Sequence, residues 1–308
     1  MIKKFLITGG TGFIGSNISN MLADKGHKVI VFDNNRRGKL NRIKNKNIKF
    51  IKGDIRSLKD LNKAIRGVNV VIHLAYINGT KYFYSQADLV LDIAAKGLIN
   101  IFDLCIRNKI KELYLASSSE VYQKPSKIPT DENEMLKVPD IYNPRYSYGG
   151  GKILTELYGI NFGRKFFKKL VIFRPHNVYG NDMGNEHVIP ELINKVKNLN
   201  SKGKLKIQGS GKETRSFIHI EDFCRAFYLL IKKGKHLNIY NLGTEERVSI
   251  NKLLKYIKKC SDKKFTILKG PIKKGGTQHR CPDISKIKKL GFKQRIKLFN
   301  GINQLIKK

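Results

Sequence analysis

The chain has 308 residues, 41% of them hydrophobic, enough to bury a full core in one large domain or two. No run approaches the ~20 apolar residues of a membrane span, so no membrane insertion is expected. Lysine and arginine number 61 against 24 acids, a net charge of +37. The lysines are spread over the whole length and no basic segment is interleaved with aromatics. Solvated faces are therefore expected, with a general pull on polyanions but no specific nucleic-acid site.

Residues 5–7 read as a short buried strand that runs straight into a glycine turn, a strand rather than a signal peptide. The turn is Thr8-Gly9-Gly10-Thr11-Gly12-Phe13-Ile14-Gly15, and after it Ile14, Ile18, Met21 and Leu22 recur at helical spacing. Gly10, Gly12 and Gly15 satisfy G-x-G-x-x-G: a tight turn, close backbone approach to a pyrophosphate, and close packing of helix on sheet. The second strand, 28–32, ends in Asp33, 18 positions after Gly15. That is close to the ~20 expected of an acid binding an adenosine ribose. Further short apolar runs at 48–51, 70–73, 113–116 and 170–173 alternate with helical patterns such as Leu89, Val90, Ile93, Ala94, Gly97, Leu98, Ile101 and Phe102. The alternation predicts an α/β fold of Rossmann type, a doubly wound parallel sheet with helices on both faces. After Tyr179 the rhythm weakens, which predicts a smaller C-terminal lobe over the carboxyl ends of the strands. Four scattered cysteines (Cys105, Cys224, Cys260, Cys281) lack C-x-x-C spacing. They imply reduced thiols in a cytoplasmic protein, with neither a disulfide framework nor a metal site.

Tyr148 and Lys152 lie four apart at the start of a helical pattern, hence on one face. A tyrosine of pKa ~10 is a poor base at neutral pH, and a neighbouring ammonium favours its phenolate. Ser117-Ser118-Ser119-Glu120 follows directly on the strand at 113–116, beside the expected cofactor crevice.

These pieces resemble the extended short-chain dehydrogenase/reductases of the nucleotide-sugar epimerase/dehydratase group. The match runs in family order over almost the whole chain: Thr8 to Gly15, Asp33-Asn34, Gly53-Asp54-Ile55-Arg56, His73-Leu74-Ala75, Ser117 to Tyr122, and Tyr148 with Lys152. It continues through Arg174-Pro175-His176-Asn177-Val178-Tyr179-Gly180, Arg215 to Asp222, and Arg280-Cys281-Pro282-Asp283. The resemblance implies a dinucleotide-binding domain over 1–176 to which 215–242 returns, and a nucleotide-sugar-binding lobe from 177–214 and 243–308. It implies NAD as cofactor, its pyrophosphate held by Gly9, Gly12 and Gly15 and its adenosine ribose by Asp33, with Phe13, Ile14 and Asn34 also in the cofactor site. Asp54 and Ile55 would meet the adenine, Leu74 and Ala75 would line the cofactor, and Lys152 would hold the nicotinamide ribose. Tyr148 would be the acid/base and Ser118 would bind the reacting hydroxyl. Asn177, Arg215 and Arg280 would clamp the diphosphate of the nucleotide-sugar, a task suited to guanidinium forks. A homodimer through a four-helix contact is also implied.

Several positions depart from the family pattern. Gly149-Gly150-Gly151 fills the gap between Tyr148 and Lys152, Ala94 stands where asparagine is frequent, and Asn181 replaces a proline. Arg36 and Arg37 could accept a 2′-phosphate, but Asp33 would repel it, which favours NAD over NADP. Glu120 divides the functional readings. It resembles the glutamate that works near C5 in 4,6-dehydratases and UDP-glucuronate decarboxylases, whereas pure C4 epimerases usually have a small or neutral residue there. The leading expectation is C4 epimerisation through a transient 4-keto sugar. Decarboxylation or 4,6-dehydration is the alternative, and a non-catalytic dinucleotide- or RNA-binding relative the remote one.

Overall fold

The computed structural model describes residues 1–200, 203–271 and 277–307. Six strands form in the first half: β1 Lys4–Thr8, β2 Lys28–Asp33, β3 Ile48–Lys52, β4 Val70–His73, β5 Glu112–Ala116 and β6 Lys169–Pro175. Between them run helices α1 Phe13–Asp24, α2 Leu58–Ile65, α3 Thr80–Ser85, α4 Ala87–Asp92, α5 Leu98–Arg107 and α6 Tyr146–Phe166. The second half adds strands β7 Val178–Tyr179, β8 Gly203–Lys206, β9 Thr214–Ser216, β10 Ile218–His219, β11 Asn238–Leu242, β12 Arg247–Ser249 and β13 Phe265–Leu268. Its helices are α7 Val188–Lys197, α8 Ile220–Lys233, α9 Ile250–Ser261, α10 Ser285–Lys289 and α11 Leu298–Ile306.

The expected doubly wound sheet is present. Seven strands pair in the order β11-β6-β5-β4-β1-β2-β3, all parallel. Alternation along each strand sends side chains to opposite faces. Phe5, Ile7, Val29 and Val31 pack with α1 and α8 on one side, and Leu6, Ile30 and Phe32 pack with α2 and α5 on the other. A third apolar cluster, built from α7, α9 and α11 with Tyr179, Phe217 and Val248, forms the core of the C-terminal lobe. The order reverses between β1 and β4, so a crevice opens there at the strands' carboxyl ends.

One expected element differs. The pattern across 89–102 reads as one helix, yet residues Ile93–Gly97 form a π-helical turn between α4 and α5. A Cβ on Gly97 would lie 2.3 Å from Ile55 Cδ1, so the wider turn and the glycine together seat the Ile55 side chain.

The two halves are tied by a buried polar network. Arg174 on β6 is 2% exposed and donates twice to Glu156 on α6, Nη2 to Oε2 at 2.6 Å and Nε to Oε1 at 2.8 Å. Its Nη1 donates to Tyr122 Oη, which donates to Asn241 Oδ1 on β11. Asn241 in turn donates to the carbonyls of Thr130 and Asp283. Removing one member of a buried pair strands the other charge, at a cost of about 3–5 kcal/mol. Arg174→Met should therefore lower unfolding free energy by that amount in a urea titration. A loss under about 1 kcal/mol would mean the network does not hold the fold.

Candidate active site

Every residue that the resemblance assigns to the site lines one cleft at the carboxyl ends of β1, β2, β4 and β5, with a volume of about 450 Å³; Gly10 of the glycine fingerprint does not line it. Its floor is the β1–α1 turn. Gly9 has φ +70° and its N–H donates to Phe32 O, while no side chain caps the N-terminus of α1 at Gly12. The helix therefore presents free N–H groups and its positive end to the cleft. A Cβ on Gly15 would lie 2.1 Å from Gly9 O, so the turn admits only glycine there. Phe13 and Ile14 open the helix beside it, and Leu74 and Ala75 close the opposite wall, their N–H groups both donating to Thr8 Oγ1.

At the end of β2, the Asp33 carboxylate accepts from Thr11 N and Asn35 N and is locked in orientation. Asn34 donates to Asp54, whose carboxylate is also paired with Arg56, an interaction that holds its pKa below the ordinary value. Arg36 and Arg37 are engaged elsewhere. Arg36 donates to Gln86, and Arg37 reaches across to Asn78 O and Glu186. Neither guanidinium is aimed at Asp33. The glycine cradle and uncapped helix supply donors, and the fixed carboxylate an acceptor, which fit a dinucleotide with a bare ribose.

The chemical half of the site hangs on α6 and the turn after β5. Ser118 caps the short 3₁₀ turn Ser119–Tyr122 by accepting from Glu120 N, and its hydroxyl also meets the Tyr148 hydroxyl. Tyr148 is 6% exposed, stacked on Phe83 at 4.8 Å and edge-on to Tyr76 at 5.1 Å. Lys152 is 3% exposed. Its amine donates to Ala116 O at 2.7 Å and lies 5.7 Å from the centre of the Tyr148 ring.

The Tyr148 pKa lies above its ordinary value here, not below it as expected. Burial pushes the Tyr148 phenol up, with Glu120 adding to the rise and the Ser118 hydrogen bond opposing it. Burial also pulls the Lys152 ammonium down to about 7, against the weaker pull of Glu156. Pair spacing alone does not reveal this, because the two aromatic rings that dry the site come from 65 to 72 positions upstream.

In the second lobe, Asn177 has φ +37° and spends its amide donor on Ser216 O. Arg215 donates to the carbonyls of Thr214, Thr277 and Gln278, and burial and the nearby Arg280 bring its pKa down to about 10. Arg280 reaches back to the first half: Nη1 donates to Glu120 Oε1 at 2.7 Å, and Nη2 to Thr277 Oγ1. Burial alone would raise the Glu120 pKa. The charge and hydrogen bond of Arg280, with Arg145 and Arg215 nearby, instead hold it at about 2. Among the lining groups that the motifs did not single out are Tyr76, Phe83 and Arg145, whose buried Nε has no partner among the described residues. Only the glycine triple hinted at Tyr76, as a sign of close approach.

The chain belongs to the NAD dependent epimerase/dehydratase family, whose profile it matches over residues 5–243. NAD is the cofactor of that family. The chain is 32% identical to a Methanocaldococcus jannaschii protein named "Putative UDP-glucose 4-epimerase", over 98% of this chain and 96% of that one. It is 31% identical to a dTDP-D-glucose 4,6-dehydratase of Dictyostelium discoideum, over 80% of this chain and 60% of that one. A UDP-N-acetyl-alpha-D-glucosaminuronate decarboxylase of Bacillus cytotoxicus is 28% identical over 99% and 97%. Among solved structures, a UDP-glucose 4-epimerase of Thermotoga maritima with UDP-glucose superimposes with a TM-score of 0.89, 25% identity and coverage of 99% and 97%. The relatives thus span three reactions on nucleotide-sugars.

Asp33→Ala should weaken NAD binding and narrow the preference over NADP, read by calorimetry with both dinucleotides. If the unmutated chain binds NADP as well as NAD, Arg36 and Arg37 are the selectors instead.

Proposed function

We propose that the protein is an NAD-dependent nucleotide-sugar 4-epimerase. The observation that carries this reading is the state of Glu120. A base at C5 needs a carboxylate free to take a proton, with a pKa raised toward neutrality. Glu120 is paired with Arg280 and held at about 2, a poor base. Epimerisation at C4 asks nothing of that position.

Tyr148 Oη would exchange the proton of the sugar 4-hydroxyl, with Ser118 binding the same oxygen. Burial opposes the phenolate, so the base form depends on the Lys152 charge close by and on the Ser118 hydroxyl. NAD, when bound, supplies the acceptor and donor of the C4 hydride. Gly9, Gly12, Phe13, Ile14 and Gly15 would hold its pyrophosphate, Asp33 and Asn34 its ribose, Asp54 and Ile55 its adenine, and Leu74 and Ala75 its flank. Arg215 and Arg280 would take the substrate diphosphate, with Asn177 shaping the backbone beside them.

We also assign residues 1–176 and 215–242 to cofactor binding, and 177–214 with 243–308 to the sugar nucleotide. Return of β11 to the sheet supports that division. Exposed Leu91, Ile99 and Leu157 on α4, α5 and α6 support a homodimer through those helices. One observation favours a second reading. Three guanidiniums, Arg145, Arg215 and Arg280, gather on the single carboxylate of Glu120, an environment that would also suit a uronic acid and its decarboxylation.

Tyr148→Phe should abolish turnover while NAD stays bound, since only the ionisable oxygen is removed. Proton-transfer groups contribute ~10²–10⁴-fold, so a loss below tenfold would remove Tyr148 from the role.

Glu120→Gln should keep much of the rate, and products formed in deuterated water from a panel of UDP-, GDP-, CDP- and dTDP-sugars should carry no deuterium at C5 by NMR. Solvent deuterium at C5 would make the chain a 4,6-dehydratase. Carbon dioxide released from a uronic acid would make it a decarboxylase.

A further inference from the structure

The Lys152 ammonium has an unusual setting. Glu156, one turn along α6, is the carboxylate whose charge reaches it, but that carboxylate is already bonded to Arg174 and Ser117. His73 on β4 also faces it and is kept neutral, its pKa near 3 through burial and the lysine itself. Tyr148 lies on the same helix face. The close partners of the amine are the Ala116 carbonyl and the face of Tyr76, whose ring centre is 3.9 Å away. That is well inside the ~6 Å range in which a ring's negative face attracts a cation.

The space that Tyr76 fills explains two departures at once. A Cβ on Gly151 would lie 1.9 Å from Tyr76 Oη and 2.7 Å from Ala94 Cβ. Gly151 and Ala94, separate oddities in the sequence, are the two walls of one slot that admits the tyrosine ring. The hydroxyl at its end is buried with no hydrogen-bond partner. The face of the ring, not the hydroxyl, is what meets the Lys152 ammonium.

We propose that Tyr76 is a positioning residue of this site: its ring is the platform that holds the Lys152 ammonium against the Ala116 carbonyl and beside Tyr148. It acts through Lys152 and touches no reacting atom. The inference rests on the reading that Lys152 serves Tyr148, so the test has one arm that needs no substrate.

In that arm, the full-length protein is acetylated with acetic anhydride across a pH series, and the extent at Lys152 is read by peptide mass spectrometry. Tyr76→Phe should leave the Lys152 midpoint unchanged, because the face remains. Tyr76→Leu should lower it by about one pH unit, because the charged form loses its platform. Tyr76→Met carries the same expectation should the leucine variant not fold. In the second arm, turnover of a nucleotide-sugar should fall at least tenfold in the leucine variant, with NAD affinity within threefold of the parent and the phenylalanine variant near it. A leucine or methionine midpoint that is unchanged or raised would overturn the proposal, as would a phenylalanine variant that behaves like leucine. A parent protein inactive on every sugar, with the labelling shifts as expected, would instead overturn the epimerase reading and leave Tyr76 in place.

Discussion

The close approach of α6 to the sheet is the constraint on which the rest of this site depends. Gly151, Gly159 and Gly163 lie at intervals of four and eight, with Thr155 between, along one helix face. A Cβ on Gly159 would come within 2.9 Å of Leu115, one on Gly163 within 2.5 Å of Leu237, and one on Gly149 within 2.7 Å of Gln123. Each glycine weakens an isolated helix by up to ~1 kcal/mol relative to alanine. Packing against β5 and β6 offsets that cost, as tertiary contacts routinely do. The result is that Lys152 reaches the last carbonyl of β5, and Glu156 reaches Ser117 and Arg174 behind it.

That proximity also sets the electrostatics. With Tyr76, Phe83 and the end of β5 around them, Tyr148 and Lys152 are both pushed toward their neutral forms. A neutral phenol beside an amine near its midpoint is readier to give a proton than to take one. The C4 oxidation proposed for this site would need both directions, and so a gain of favourable charge around Tyr148 in the direction that removes a proton. The Lys152 platform bears on this balance, because anything that favours the ammonium favours the phenolate next to it.

Local signals in the sequence were sufficient to foresee which residues gather at the β1–α1 end of the cleft. The glycine turn, its flanking strand and helix, and Asp33 lie within one βαβ unit, and short-range pattern encodes them all. The alternation of runs likewise made the parallel sheet legible, though not the π-helical turn, which exists because Ile55, some 40 positions away, needs room against Gly97. The chemical half was legible as a list of residues and not as a set of states. Tyr148 and Lys152 were visible as a pair, while the rings that dry them belong to a different βα connection. Glu120 and Arg280 stand 160 positions apart, and no periodicity joins them. Gly151 and Ala94 were visible only as departures, since their common cause is a third residue, Tyr76.

The pairing of Glu120 bears on the choice of reaction beyond its own ion pair. Its low pKa has three cationic sources, of which Arg280 is the largest and Arg145 and Arg215 are the others. At an effective dielectric of 20, two unit charges 4 Å apart interact by about 4 kcal/mol. If Arg280 and Arg215 both turn toward an incoming diphosphate, the Arg145 guanidinium still faces the carboxylate. Glu120 then remains ionised and compensated whether or not substrate is present, which suits a fixed counter-charge. A C5 base would have to shed that partner as well before its proton affinity approached neutrality. The arrangement of arginines therefore opposes C5 proton abstraction more strongly than the Glu120–Arg280 distance alone indicates.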